Sequence, residues 1–363
     1  MYVVTNRSMK RSAKGLDAFG SVPSSRGPNE LRIVRVVRKS GHYDVELLRD
    51  RLTRQCVRDL SDDYDLALDV DGPWHASLQL ACDLFSRARR EKKHILVFVH
   101  GYNNDVEDVL QTAMELERQY NVIVLPFTWP ANGGGALAGT AAYLDDKQDA
   151  RASAGALNRF IGKLKNHHEL LTRGRRKQFM DKAEMRFPQN PERARQYYMQ
   201  LIDRDCRVSI NLLCHSMGNY LLKYALKPGN SALAQLVFDN VSLVAADANN
   251  KDHAAWLERV QVRNRVCVVI NENDSALKWS RRKPGQQQLA RLGHYLKNLV
   301  AENTFYIDVT GAGHVGDEHS YFRGKAVRKN SRLAGLFASL FEGGKAETAL
   351  AYRADINAYV LKG

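Results

Sequence analysis

Residues 208–226 read VSINLLCHSMGNYLLKYAL, and their reading decides the fold. The run 208–213 is rich in apolar residues, the pattern of a strand buried on both faces of a parallel sheet. Residues 219–226 carry a helical period. Between them lie Cys214-His215-Ser216-Met217-Gly218. A serine at such a sharp strand-to-helix turn stands above the sheet end with its hydroxyl exposed. Positions two before and two after it must be small, because strand and helix converge there. Gly218 meets this fully; Cys214 stands where glycine is more usual and is small enough. The helix that follows aims N–H groups at the point where a carbonyl oxygen gains negative charge. Ser216 is therefore the candidate nucleophile and the Met217 N–H a candidate oxyanion donor. The plain alternative is a serine that only caps a helix.

Working outward, further strands are expected at 94–99 (HILVFV), 122–127 (VIVLPF), 241–246 (VSLVAA), 266–270 (VCVVI) and 304–309 (TFYIDV). Residues 104–119 separate the first two. Val106, Val109, Leu110 and Ala113 recur there at helical spacing, and Asn104 with Glu107 resembles a capping box. A second helix is expected at 150–164, with Ala154, Leu157, Ile161 and Leu164 on one face. This alternation predicts an α/β fold, a mostly parallel central sheet flanked by helices, with right-handed crossovers. Residues 31–48 read as a hairpin around Ser40-Gly41.

We read residues 1–363 as one domain with three additions. Residues 1–60 form a basic N-terminal extension that includes the hairpin, with turn signals but no period over 1–30. Residues 165–206 are polar and mostly helical, split by Pro188 and Pro191, a lid-like insertion. Residues 323–363 are a C-terminal helical segment, with helix-period stretches at 332–341 and 345–361. The glycine run 132–135 lacks a following Lys-Ser/Thr and reads as a loop, not a phosphate cradle.

The remaining chemistry follows from the fold. The loop after the first strong strand holds His100-Gly101-Tyr102-Asn103. In this architecture that loop supplies a second oxyanion N–H, and Tyr102 is the candidate. His100 reads as a buried structural imidazole. The acid should follow the serine and precede the histidine. Asp274, just past 266–270, fits best; Glu272 and Asp247 are rivals. The last loop offers His314 and His319, and spacing alone does not choose between them as general base.

The segments His100-Gly101-Tyr102-Asn103, Phe127-Thr128-Trp129-Pro130 and His215-Ser216-Met217-Gly218-Asn219 resemble the signature of the DUF900-type α/β-hydrolases, bacterial relatives of serine esterases and lipases. Asn273-Asp274-Ser275-Ala276-Leu277 and His319-Ser320-Tyr321-Phe322 are similar to that family's acid and histidine motifs. The resemblance implies Asp274 as acid and His319 as base, because the family's histidine directly precedes Ser-Tyr or Ser-Phe. It covers roughly 94–163 and 207–322. The longer stretch 165–206 departs from it.

Composition bounds the rest. The chain has 363 residues, 44% hydrophobic, with 54 Lys plus Arg against 40 Asp plus Glu. No apolar run reaches the roughly 18 residues of a membrane span, and the N-terminus has no secretory apolar core. The five cysteines form no C-x-x-C pair, so we expect a reduced cytoplasmic protein without disulfides, metal or cofactor. The net charge of +14 suggests a polyanionic partner. Yet residues 61–162 and 208–319 carry −4 together, so the basicity lies wholly in the added segments. Arg175-Arg176-Lys177, Arg281-Arg282-Lys283 and Arg328-Lys329 ahead of 332–341 are the basic clusters. They fit an anionic membrane surface or a protein partner; no motif supports specific nucleic-acid readout. The expected activity is a serine hydrolase cleaving a carboxylic ester or another acyl substrate. A hydrolase-fold adaptor without catalysis is the alternative.

Overall fold

The serine-bearing strand lies in the middle of a large sheet. The computed structural model describes residues 1–10, 12–131, 139–205, 207–227, 231–282 and 290–362. Contacts divide the chain into two units, one of 1–47, 94–161 and 209–363, the other of 48–93 and 162–208. The first unit holds the strands β1 (Tyr2–Thr5), β2 (Arg7–Met9), β3 (Phe19–Pro23), β4 (Arg32–Lys39), β5 (His42–Leu47), β6 (His94–Val99), β7 (Val122–Thr128), β8 (Ile210–His215), β9 (Phe238–Val244), β10 (Val262–Ile270), β11 (Thr304–Asp308), β12 (Ala351–Arg353) and β13 (Ala358–Val360). Among the described residues, eleven form one sheet in the order β12-β13-β11-β10-β9-β8-β6-β7-β1-β4-β5. From β1 through β13 neighbours run parallel; antiparallel pairing is confined to β1–β4, β4–β5 and β12–β13. This is the expected mostly parallel sheet flanked by helices.

The chain goes from β6 outward to β7, then returns to β8 on the other side of β6. That reversal is a topological switch point, the place in open α/β sheets where ligands bind beyond the carboxyl ends of the strands. The loops after β6 and β8 are the ones carrying His100-Gly101-Tyr102 and Ser216.

Helices cover both faces because the strands are apolar on both. One face carries α3 (Val106–Gln119) and α11 (Ser331–Phe341). Val109, Ala113 and Leu116 of α3 and Leu333, Phe337, Leu340 and Phe341 of α11 join one buried cluster with Leu96, Val124, Leu213 and Val269. Each buried Val, Leu or Phe among them contributes about 1.5–3 kcal/mol. α3 starts one residue later than the spacing suggested: Asp105 caps it, and a reciprocal bond with Asp108 completes the box. Other helices of this unit are α4 (Gly139–Ala152), α7 (Met217–Ala225), α8 (Ala254–Leu257), α9 (Ser275–Ser280) and α10 (Gly324–Lys329). The helix expected at 150–164 is divided: α4 ends at Ala152 and α5 (Ala154–Arg186) begins after Ser153.

Two further expectations need correction. Residues 1–30 were given no strand, yet β1 sits inside the sheet between β7 and β4. Four residues are too few to show a period; the β-branched Val3 and Val4, both buried, were the available signal. The period over 345–361 predicted helix, but 351–360 is a hairpin. β13 pairs with the otherwise open edge of β11, Tyr352 packs on Tyr359 at 5.0 Å, and Asn357 takes the turn at φ 52°. Satisfying an open edge outweighed the weak helical period. The helical part of 323–363 is α10 and α11.

The second unit holds α1 (Arg54–Tyr64), α2 (Ala76–Glu91), the rest of α5 and α6 (Pro191–Arg204). α5 runs to Arg186, and after a short turn Asn190 caps α6 with Pro191 in its first turn. Within this unit Phe85 packs on His168 and Ser77 bonds to His167. Among the described residues no helix is long and apolar enough to cross a membrane. Cys56, Cys82, Cys214 and Cys267 are free thiols. Cys206, the glycine run 132–135 and Lys283 lie outside the described residues.

Candidate active site

Ser216 adopts φ 53°, ψ −122° between β8 and α7. A non-glycine residue there costs about 1–3 kcal/mol and persists only where its surroundings hold it. They do. The Ser216 N–H donates to Val244 O at 3.1 Å, and Ser216 O accepts from the N–H groups of Asn219 and Asp247 at 3.1 Å each. The buried Asn219 amide faces three carbonyls, of Cys214, Ser216 and Val244, at 3.0, 3.0 and 3.3 Å. A Cβ on Gly218 would lie 2.6 Å from Val99 O, and one on Gly101 would lie 2.6 Å from Ser216 Cβ. Both glycines are required by this close approach of α7 and the β6 loop to one another.

The β6 loop is fixed from beneath. The His100 ring stacks on Trp129 at 5.1 Å and 4°. Its Nδ1 lies 3.0 Å from Gly101 O, while Nε2 lies 3.2 Å from both the Trp129 N–H and Thr128 Oγ1. Donation from Nδ1 and acceptance at Nε2 define a neutral imidazole. Burial, reinforced by the Arg7 charge, pushes its pKa down to about 3. His100 is a structural residue, as expected. Arg7, on β2, was not anticipated. Its buried guanidinium donates to Thr128 Oγ1 at 3.1 Å, Ala131 O at 2.9 Å and Asn104 O at 3.3 Å. It ties the strand end at 128–131 to the loop bearing Tyr102. Burial lowers its pKa to about 10, and Asp146, Asp105 and Asp149 oppose that fall. The Tyr102 ring packs edge-on to Tyr143 at 5.5 Å. Met217 is the first residue of α7, and the first N–H groups of a helix have no intrahelical acceptor.

Asp274 and His319 are brought together. His319 Nδ1 lies 2.7 Å from Asp274 Oδ2, with the acid fully buried and the imidazole 23% exposed. Asp274 Oδ1 accepts from the Leu277 N–H at 2.9 Å and so caps α9. The acid and histidine loops are cross-linked: the Asn271 amide faces Gly316 O and Glu318 O, and Ser275 N–H donates to Asp317 O. Tyr321, two residues after the histidine, donates its hydroxyl to Val269 O and accepts from the Ala245 N–H. His215 links this pair to the elbow. Its ring lies 4.7 Å from that of His319, and its Nε2 is 3.2 Å from His319 O. Burial holds the His215 pKa well below the ordinary value. His215 thus donates from Nε2 as a neutral ring. Sequence reasoning assigned it no role, though its place next to Ser216 was visible.

The rivals are engaged otherwise. His314 is an exposed loop residue at φ 65°. Glu272 accepts from the Leu296 N–H. Asp247 pairs with Arg291 at 2.9 Å and accepts from the hydroxyls of Tyr143 and Ser280, all four groups being buried. That acid is neutralised where it stands. Among the described residues no group of three or more His, Cys, Asp or Glu is placed to hold a metal ion.

The two neutral imidazoles carry a pH prediction. Their native pKa values lie below the unfolded value of about 6.5. Below that pH the unfolded chain binds protons that the native state does not, so stability falls with acid. Their contribution is complete above pH 6.5 and is lost on descent toward the native values. These two alone should make the protein about 2–3 kcal/mol less stable to urea at pH 5.5 than at pH 7.5, the buried His167, His253 and His294 adding in the same direction, and mutating His100 to Asn should reduce that slope.

The model of a family described as alpha/beta hydrolase of unknown function (DUF900) matches residues 79–172. That span includes β6, α3 and β7 with the His100-Gly101-Tyr102 loop. No curated protein and no solved structure matches the chain.

Proposed function

We propose that this chain, an α/β-hydrolase by fold, is a serine hydrolase that cleaves carboxylic esters through an acyl-enzyme. The match to an alpha/beta hydrolase family over residues 79–172 and the mostly parallel sheet support the hydrolase class. The observation that carries the finer reading is the 2.7 Å bond between His319 and Asp274, joined through His215 to the strained turn at Ser216. Each group then has one task. The Ser216 hydroxyl attacks the ester carbonyl while His319 Nε2 takes its proton. Asp274 holds the proton on Nδ1, so that Nε2 is the free base, and stabilises the imidazolium that forms. The Tyr102 and Met217 N–H groups receive the oxyanion. The tetrahedral intermediate collapses: the ester C–O bond breaks, and the imidazolium gives its proton to the leaving alkoxide. A water molecule then attacks the acyl-serine, again losing its proton to His319. Ser216 leaves protonated and the carboxylic acid is released. No cofactor enters the scheme.

A fluorophosphonate probe tests this directly, because it phosphonylates only an activated serine. We expect stoichiometric labelling, with the adduct mapped by peptide mass spectrometry to the segment containing Ser216. An adduct elsewhere, or none at micromolar probe over hours, contradicts the reading.

A further inference from the structure

Beside the candidate site the structure gathers positive charge without matching negative charge. The ammonium of Lys147 on α4 sits 4.9 Å over the Tyr220 ring and 5.6 Å over that of Tyr143. Arg151, one turn on, lies 5.5 Å over Tyr220 and 4.9 Å over Tyr224, and its Nε donates to the Tyr220 hydroxyl at 2.5 Å. Lys227 lies 4.3 Å over Tyr224, and Lys223 shares α7 with both rings. The rings hold these cations in place but leave their charge. Among the described residues no carboxylate lies within 4.0 Å of Lys147, Arg151, Lys223 or Lys227. Asp247, the acid nearest the serine turn, is already spent on Arg291. Asp252 near Lys223 is exposed. Burial lowers the pKa of Lys147, and Arg291 lowers it further. Lys147 and Lys223 are half-buried, Arg151 and Lys227 exposed; crowded like charges repel, so the arrangement favours an anion that pairs with several at once.

Its position relates it to the serine. Tyr220 follows Ser216 by four residues, about 6 Å along α7. Tyr143, which carries Lys147 on the next turn of α4, touches Tyr102 of the oxyanion loop at 5.5 Å and bonds to Asp247. The backbone of Asp247 in turn bonds to Ser216 O. We propose that Lys147 and Arg151, backed by Lys223 and Lys227, bind an anionic group, a carboxylate or a phosphate, on the molecule cleaved at Ser216. This rests on the serine-hydrolase reading, and it names the substrate class: an ester that carries a negative charge away from the scissile bond. A site built around several cations discriminates strongly against a neutral analogue, which leaves the charges unpaired.

The test uses the full-length protein and two activated esters, mono(p-nitrophenyl) glutarate and neutral p-nitrophenyl hexanoate. We expect kcat/KM at least 10-fold higher for the glutarate half-ester, weakening as salt rises. The Lys147→Met/Arg151→Met variant should lose that preference, to within 2-fold, while keeping its rate on the neutral ester. Lys147→Glu should reverse it. Equal rates for the two esters in the wild type, or a preference that survives in the double variant, overturns the proposal. A second arm measures binding of inorganic phosphate by calorimetry in both proteins. Competitive inhibition of glutarate cleavage by phosphate identifies a phosphate-sized site; its absence with the glutarate preference intact identifies a carboxylate site. If neither ester is cleaved, phosphate binding that vanishes in the double variant upholds the anion site while the hydrolase reading falls. In that case phosphate binding equal in the two proteins, or absent from both, overturns the anion site as well.

Discussion

Replacing His319 by Ala should lower turnover of a short p-nitrophenyl ester by about 10^4–10^6-fold, and replacing His314 by Ala should change it less than about 3-fold. The argument is geometric. His319 holds the 2.7 Å bond to a fully buried carboxylate, which fixes Nδ1–H and leaves Nε2 as base. Without it the serine has no proton acceptor, and the oxyanion donors and binding alone remain. Those leave a residual acceleration, which is why the loss is finite. Structure should survive. His319 is partly exposed, and Ala keeps the carbonyl that bonds to His215 while losing only the ring contact with it. His314 makes no such bond and projects from the surface at φ 65°. Circular dichroism of both variants should match the wild type. Comparable losses in the two, or a loss confined to His314→Ala, contradict the assignment.

What was legible in the sequence, and what was not, has a consistent physical cause. The strands 94–99 and 266–270 were plain because burial on both faces turns a strand into an unbroken apolar run. Ser216, Gly218 and Gly101 were plain because backbones that approach within a side chain's width admit only small residues. β1 was missed because four residues carry no period; its place between β7 and β4 depends on partners distant in sequence. The hairpin at 351–360 was read as helix for the same reason: only the open edge of β11 makes it a strand. The roles of Arg7 and His215 were hidden because each acts through tertiary bonds. Arg7 reaches across 121 positions to Thr128 and 124 to Ala131. His215 meets His319 across 104. The choice between His314 and His319 also lay beyond spacing, since both occupy one loop; it takes the position of Asp274 to separate them.

Asp274→Asn should lower turnover by about 10^4-fold and leave stability nearly unchanged, a combination that a purely structural acid would not give. Asp274 has two duties on its two oxygens. Oδ1 caps α9 by accepting from Leu277, and Oδ2 receives the His319 Nδ1–H. Asn is as good a helix cap as Asp, so its carbonyl oxygen keeps the first bond. Its NH2 group then faces His319 Nδ1, which must accept, and the proton moves to Nε2. The imidazole is held in the tautomer that cannot take the serine proton. Asp274→Ala should lose the cap as well, adding about 1 kcal/mol of destabilisation. Asp247→Asn gives the contrast. It strips the counter-charge from Arg291, which is 1% exposed, and should cost about 3–5 kcal/mol of stability. Turnover per folded molecule should fall far less than in Asp274→Asn. Urea titration and single-substrate kinetics on the three variants read both quantities. If Asp247→Asn loses activity at full stability while Asp274→Asn does not, the acid has been assigned to the wrong strand end.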